Sequence, residues 1–234
     1  MKVFFDNPWF GSLPRSDADA LLAAATRRHL AQGEILFRQG ETFSESRDGF
    51  FGVARGSIKF SVVHSDGNEA LLAIIEAGNW FGEVILLDRH PRTTTLVALE
   101  DTELLVISAK VFNVMMQRNT FAQAIAVLEA RRLRSTFGVL ADIALRSTRT
   151  RIARRLILLA HGDLTQSSSG RRTISTSQDN IAMMLGVSRT TLNKELQALA
   201  KMGAIELRYG HIEIKDMELL VEASDSFRTS EWKA

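Results

Sequence analysis

A short run of polar and basic side chains occupies one side of an amphipathic segment at residues 178–201. Leu192, Leu196 and Leu199 recur there at intervals of four and three residues, which predicts one buried stripe of a helix. The opposite side carries a mixed polar set: Arg189, Thr190, Asn193, Lys194 and Gln197. Arg, Asn and Lys side chains hydrogen-bond to base edges and phosphates, so the pattern is typical of a helix that lies in a DNA major groove.

The residues before this helix predict a sharp turn between two helices. Ala182 is small where crossing helices approach each other, and Gly186 suits a turn that needs a positive φ. Ser188 then provides a good N-cap for the second helix. A plain helical hairpin with a solvated polar face is the alternative, but the combined spacing favours a helix-turn-helix that binds DNA.

A short hairpin is predicted directly after the second helix. Ile205 and Leu207 alternate with polar residues, as do Ile212 and Ile214, on either side of a glycine-containing turn. A hairpin in this position is the wing of a winged helix-turn-helix.

A second set of chemistry-bearing residues lies between two predicted strands. Arg92 and Thr93 offer a guanidinium and a hydroxyl to a phosphate, and the turn at Gly82 offers backbone N–H groups. Glu83, nine residues before Arg92, is a candidate acceptor for a ribose 2′-OH. The alternative is a salt bridge that closes the loop, either Arg92–Glu83 or Arg92–Asp88.

The elements that would position these residues follow from the hydrophobic pattern. Residues 1–32 show helical spacing, and residues 33–108 contain short strands separated by Gly- or Asp-containing turns, which indicates a barrel, sandwich or β-roll. Residues 109–145 are rich in helix formers, and residues 147–150 are a plausible hinge.

The long predicted helix carries an apolar stripe that Arg132 and Ser135 interrupt. The stripe consists of Phe121, Ile125, Leu128, Val139 and Ile143. One small β-domain cannot cover a helix of this length, which favours pairing with a second copy as a two-stranded coiled coil. The alternative is a helix that lies on its own domain.

Composition excludes several classes of site. The chain has no cysteine, which excludes disulfides, thiolate iron–sulfur clusters and cysteine zinc sites, and its five histidines lack ligand-like spacing, so no metal is expected. No nucleophile–base–orienter set indicates an enzyme. An apolar run long enough to span a membrane and a secretory signal are both missing, which predicts a cytoplasmic protein.

Charge is distributed unevenly along the chain. Residues 1–110 have 11 basic and 15 acidic side chains, whereas residues 147–211 have 10 basic and 4 acidic ones. The basic segment is the one that contains the predicted helix-turn-helix, which is where counterion release on DNA binding would be localised.

The chain resembles the Crp/Fnr family of bacterial transcription regulators over nearly its whole length. The resemblance rests on the segments GEILFRQGE, FFGVARGSIK, WFGE…PRTTT and IAMMLGVSRTTLNKELQAL in that order. It implies an α+β protein with a cyclic-nucleotide-binding, jelly-roll-like β-roll at 1–110, a long dimerisation helix at 111–146 and a winged helix-turn-helix at 147–234. It also implies a homodimer on a palindromic operator, with RNA polymerase as a further partner and activation as one outcome.

The resemblance further assigns site residues. Gly82 and Glu83 would face the sugar of the nucleotide, with Arg92 and Thr93 on its phosphate. Thr136 and Phe137 occupy the place of a Thr-Ser pair that reads adenine in the cyclic AMP receptor. Because phenylalanine cannot hydrogen-bond as serine does, cyclic AMP, cyclic GMP and cyclic di-GMP all stay open as effectors.

The recognition helix departs from the family in a second place. Ser188 and Arg189 match the family's Ser-Arg-Glu-Thr, but Thr190 replaces the glutamate that reads cytosine, so a different operator base is expected. Two other functions stay open: a constitutive regulator in which the candidate phosphate-binding residues 82–93 are vestigial, and a regulatory module of a larger enzyme or channel. The second is disfavoured because the winged helix occupies the place of an effector domain.

Overall fold

A computed structural model describes residues 1–162 and 170–225. They form two compact units, the first ending at Arg134 and the second beginning at Ser135. Within the described ranges, no helix is long and apolar enough to cross a membrane.

The first unit is a β-sandwich flanked by helices. Its helices are α1 (Lys2–Phe5), α2 (Pro8–Gly11), α3 (Arg15–Ala24), α4 (Glu83–Asp88), α5 (Ala109–Met115) and the first part of α6 (Asn119–Leu145). Its strands are β1 (Thr26–Leu30), β2 (Ile35–Phe37), β3 (Gly49–Arg55), β4 (Ser57–Val63), β5 (Glu69–Glu76), β6 (Trp80–Phe81), β7 (Thr95–Ala98) and β8 (Thr102–Ser108).

The strands form two antiparallel sheets. One hydrophobic core lies between the sheets, and a second lies between one of the sheets and the helices. The strand orders are β1-β8-β3-β6 and β2-β7-β4-β5, and buried side chains from both sheets pack together. On the outer side of the first sheet, Trp80 stacks on Phe10 and Phe50 at centroid distances of 5.4 and 5.1 Å. This aromatic cluster joins the N-terminal helices, α5 and α6 to the sheet. The predicted β-roll is confirmed.

The helical pattern predicted over residues 1–32 is wrong beyond Ala24. Residues 26–30 form β1, which pairs with β8 in antiparallel register from Thr26–Val106 to Leu30–Thr102. Leu30 is fully buried in the core between the sheets. Pairing with a distant strand outweighs the local helical spacing of the leucines.

The predicted continuous helix over residues 111–146 is divided. α5 ends at Met115 and α6 begins at Asn119. Buried Asp17 accepts hydrogen bonds from Arg118 at 3.0 Å and from Thr120 at 2.6 Å, which fixes this corner against α3. A tertiary contact thus interrupts a segment whose local propensity favours helix.

The apolar stripe of α6 has two different environments. Phe121 and Ile125 are buried in the core of the first unit, so this part of the helix lies on its own domain. Val139 and Ile143, further along the same stripe, are exposed.

The second unit contains α7 (Thr148–Ala160), β9 (Thr173–Ile174), α8 (Gln178–Leu185), α9 (Arg189–Lys201), β10 (Ile205–Arg208), β11 (His211–Ile214) and α10 (Met217–Ala223). Ser147 caps α7 by accepting a hydrogen bond from the Thr150 amide at 3.2 Å, which gives the predicted break after α6. The three strands have the order β10-β11-β9, and β9 was not predicted. The segment GDLTQSSSGRR (162–172), whose composition predicts a turn region before β9, lies mostly outside the described residues.

Candidate functional site

Gly82 marks the start of the candidate phosphate site, residues 82–93, and has a left-handed backbone conformation. Its φ of 99° is rarely adopted by other residues. A Cβ there would lie 2.6 Å from the Gly49 carbonyl oxygen and 2.8 Å from the Phe51 ring. Only glycine fits this junction between β6 and α4, so the residue sets the direction in which Glu83 leaves the sheet.

Glu83 is buried and ion-paired with the long helix. Its side chain is 3% exposed, and its Oε1 accepts a hydrogen bond from Arg132 at 2.5 Å. Arg132 also donates to the Trp80 carbonyl oxygen at 2.5 Å. The other carboxylate oxygen of Glu83, Oε2, is buried and has no hydrogen-bond donor among the described residues. A buried acceptor without a donor is rare in folded proteins and often marks a functional site.

Arg132 was not predicted as a site residue. In the sequence it stands out only as an interruption of the apolar stripe of α6. The signal that identifies it is a charged pair, Glu129 and Arg132, on the side of a helix that is otherwise buried. The two side chains are 3.2 Å apart.

Glu129 has an unusual proton affinity. Burial raises the pKa of its carboxyl to about 7, with a further contribution from the charge of Glu83 that Arg132 partly offsets. The carboxyl is therefore half protonated near neutral pH.

Arg92 is held by partners other than those predicted. Its guanidinium pairs with buried Asp48 and lies over the Phe37 ring, 3.4 Å from the centroid. Neither the Arg92–Glu83 nor the Arg92–Asp88 bridge forms, because Glu83 is paired with Arg132.

The backbone around Arg92 is also fixed. Its amide donates to the Glu41 carbonyl at 2.9 Å, and its carbonyl accepts from the Gly40 amide at 2.7 Å. The Ser44 amide in turn donates to Asp48 at 2.6 Å. The loop before β7, which carries Arg92, and the loop before β3, which carries Asp48, therefore hold a guanidinium and its carboxylate partner in a fixed arrangement. Thr93 beside them is exposed.

Thr136 and Phe137 lie on α6 in the second unit. Phe137 is 60% exposed in the single chain. The apolar side chains Leu140 and Ile143, one and two turns further on, are similarly exposed.

The helix-turn-helix has the predicted geometry. Gly186, whose φ is 62°, caps the C-terminus of α8, and the Ser188 hydroxyl caps α9 by accepting from the Thr191 amide at 3.1 Å. Leu192, Leu196 and Leu199 are fully buried. The opposite face lines one open concavity, formed by Arg189, Thr190, Asn193, Lys194 and Gln197.

Arg189 has an acidic neighbour in this surface. Its guanidinium lies 3.3 Å from Asp179 of α8, and both side chains are largely exposed. Exposed pairs of this kind are weak, about 0–1 kcal/mol, so a DNA base or phosphate can replace the carboxylate.

The wing carries little net charge. Arg208 lies 2.8 Å from Glu206 and 3.8 Å from Glu213, and Lys215 lies 3.0 Å from Glu206. Tyr209 at the tip is fully exposed. The wing therefore adds little basic charge to the surface that α9 presents.

No cluster of metal ligands is present in the described ranges, 1–162 and 170–225.

Comparison with known proteins gives matches for both units. A model of the cyclic nucleotide-binding domain matches residues 27–119, and a model of the Crp-like helix-turn-helix domain matches residues 150–223. The catabolite activator protein of Thermus thermophilus has a similar structure, with a TM-score of 0.52 and 31% identity over 93% of this chain and 98% of that one. FixK2 from Bradyrhizobium japonicum shares the fold, with a TM-score of 0.74 and 17% identity over 87% of this chain and 98% of its own.

Two relatives are similar in sequence over most of their length. A cyclic AMP receptor protein of Thermus thermophilus is 32% identical over 217 residues, which span 92% of this chain and 96% of the relative. A CRP-like cAMP-activated global transcriptional regulator of Mycobacterium tuberculosis is 30% identical over 191 residues, 81% of this chain and 84% of the relative. Both domain models match this chain, and a relative that is 32% identical spans 92% of it. The chain therefore belongs to the Crp/Fnr family of transcription regulators.

Proposed function

We propose that this protein is a homodimeric regulator that binds a palindromic DNA operator through α9 and responds to a cyclic nucleotide in its β-sandwich. One observation carries the proposal. α9 buries Leu192, Leu196 and Leu199, while its opposite face is an exposed, polar and basic concavity. Such a face has no packing role within its unit and has the donors that major-groove recognition needs.

The DNA contacts follow from residue type and position. Arg189, exposed at the first turn of α9, donates two hydrogen bonds to a guanine. Thr190, Asn193 and Lys194 add contacts to bases or phosphates, and Ser188 orients the helix start. Thr190 has no carboxylate to accept from cytosine, so the operator differs at that position from those of relatives with glutamate.

The effector contacts centre on Glu83. Its buried Oε2 has an acceptor position open, which suits a ribose hydroxyl. Arg92 and Thr93 bind the phosphate, and Gly82 lets the backbone approach the sugar. Thr136 and Phe137 of the second copy contact the base across the dimer, with stacking on the phenylalanine ring. Two relatives are named for cyclic AMP, which makes it the first candidate, with cyclic GMP and cyclic di-GMP as alternatives.

A second copy of the chain covers the exposed part of α6. Leu133 and Leu140 are seven residues apart, as are Thr136 and Ile143, which is the heptad spacing of a two-stranded coiled coil. Three of these four are large apolar side chains that are more than half exposed in the single chain. Their burial in a dimer would place two α9 helices on one operator, in the cytoplasm and within reach of RNA polymerase.

A constitutive regulator is the second candidate, and one observation favours it. Arg92 already has an internal anion, Asp48, so the site that would bind phosphate is neutralised without a ligand. In that case the protein would bind its operator fully with nothing added.

Selection from a random DNA library, run with and without cyclic nucleotides, tests the proposal. We expect a palindrome of two half-sites that is enriched only when cyclic AMP, cyclic GMP or cyclic di-GMP is present. The same palindrome enriched without nucleotide would establish the constitutive alternative, and no enriched sequence would refute operator binding. Calorimetric titration of the three nucleotides identifies the effector.

A further inference from the structure

The cluster formed by Glu83, Glu129 and Arg132 contains two carboxyl groups and one guanidinium. Arg132 lies 2.5 Å from Glu83 and 3.2 Å from Glu129, so one cation serves both acids. With both acids ionised, the cluster carries one uncompensated negative charge, shared between Glu83, which is 3% exposed, and Glu129, which is 34% exposed. Burial of an unpaired charge is costly, and a buried pair of carboxyl groups relieves that cost by retaining a proton.

A proton on Glu129 also provides a hydrogen-bond donor for the unpartnered oxygen of Glu83. Oε2 of Glu83 is buried and lacks a donor among the described residues. Arg132 holds both carboxyl groups beside each other, at 2.5 Å from Glu83 and 3.2 Å from Glu129, and, besides burial, hydrogen bonding with Glu83 contributes to the raised pKa of Glu129. An ionised Glu129 can only accept hydrogen bonds, whereas a protonated Glu129 donates one. The neutral form thus supplies the missing donor.

We propose that Glu129 is a positioning residue that makes effector binding depend on pH, because its protonated carboxyl donates to Oε2 of Glu83 and blocks the acceptor that a ligand hydroxyl needs. The inference rests on the proposed function, in which Glu83 accepts a hydrogen bond from the nucleotide's ribose. The hydroxyl and the Glu129 proton compete for one oxygen, so ligand binding releases a proton.

The surroundings of Glu129 determine the direction of the effect. The charged groups that act on it are Glu83 from the segment after β6 and Arg132 from its own helix, and the Trp80 carbonyl fixes Arg132. Below the Glu129 pKa of about 7 the acceptor is blocked, and above it the acceptor is open. Affinity for the nucleotide therefore rises with pH, by about tenfold between pH 6 and pH 8, since the binding-competent fraction rises by that factor.

Calorimetric titration of the full chain with cyclic AMP and cyclic GMP as probes, at pH 6, 7 and 8, tests this role. Wild type should show the rise of about tenfold, and repeating pH 7 in buffers of different ionisation enthalpy should show release of about half a proton per chain. Glu129→Gln keeps a permanent donor and should bind weakly at every pH. Glu129→Leu has no donor and should bind tightly at every pH.

Two controls separate this role from a structural one. Glu103→Gln changes an acid at the far β1–β8 edge, where it pairs with Arg27, and should keep the wild-type profile. The 2′-deoxy analogue of the probe lacks the hydroxyl and should bind weakly without pH dependence.

Three outcomes count against the proposals. Binding with a flat pH profile, or affinity that falls as pH rises, overturns the role of Glu129 and leaves the proposed function intact. If the Glu129→Gln variant keeps the wild-type pH profile, the role of Glu129 is overturned in the same way. No binding of either probe or of cyclic di-GMP by wild type at any pH overturns both.

Discussion

The Arg92 guanidinium is bonded to the Asp48 carboxylate across 44 residues of sequence, and both side chains are buried. The Phe37 ring covers the same guanidinium. A residue predicted to bind a ligand phosphate therefore also holds the loop before β3 in place. Removing it disturbs the fold as well as the ligand site.

We expect Arg92→Ala to lower the free energy of unfolding by about 3–5 kcal/mol, because Asp48 is left buried and unpaired. The double variant Arg92→Ala/Asp48→Ala should be less destabilised than the sum of the two single variants, which urea denaturation of all four proteins measures. Arg15→Ala breaks a pair with Asp19 that is exposed on both sides, and it should cost about 0–1 kcal/mol. Additive losses in the double variant would contradict the buried pairing.

Gly82→Ala should destabilise the protein more than Gly67→Ala. Both glycines have a positive φ, 99° and 89°, so both substitutions strain the backbone by about 1–3 kcal/mol. Only at Gly82 does a new Cβ also collide with backbone, the Gly49 carbonyl at 2.6 Å, whereas nothing lies within 4 Å at Gly67. Thermal unfolding of the two variants compares these costs directly, and equal losses would contradict the close packing at β6.

The helix-turn-helix could be predicted in detail because its determinants are local. Ser188 caps α9, Gly186 ends α8 with a positive φ, and Leu192 follows within four residues of the cap. Each signal lies within one or two turns of the residue that it positions. The short hairpin of β10 and β11 was predictable for the same reason.

The effector site could be predicted only in outline because its contacts are distant in sequence. Arg132 reaches Glu83 across 49 residues, and Arg92 reaches Asp48 across 44. Neither partner can be identified from spacing or residue type. The strand β1 was missed for a similar reason, since it depends on pairing with β8, which lies more than 70 residues away.

Charged substitutions in the exposed part of α6 should separate the subunits. Leu140→Glu combined with Ile143→Glu places four like charges in the seam of a two-stranded coiled coil, which opposes association. We expect sedimentation velocity to give a dimer for wild type and a monomer for the double variant. Gln123→Glu, on the same helix within the first unit, should stay dimeric. A dimer that survives both substitutions would place the interface elsewhere.

Arg189→Ala should remove the base preference at one operator position with little effect on stability. The side chain is 70% exposed, so its loss leaves no cavity, whereas a bidentate guanine contact is worth about 1–3 kcal/mol of discrimination. Fluorescence anisotropy with the selected operator and with its single-base variants should show that the Arg189→Ala protein binds all four bases with equal affinity at one position only. Lys201→Ala, in the last turn of the same helix, should keep the preference at that position. If Arg189→Ala still prefers the original base, the guanine contact is wrong.

The central claim is that nucleotide in the β-sandwich controls DNA binding by α9. The most direct measurement is the affinity of full-length wild type for its operator, by fluorescence anisotropy at fixed salt, with and without saturating effector. We predict that the effector tightens operator binding by roughly 5–150-fold, the usual range of allosteric coupling, and that it leaves binding to unrelated DNA unchanged. Equal operator affinity in the presence and absence of every cyclic nucleotide would contradict the account.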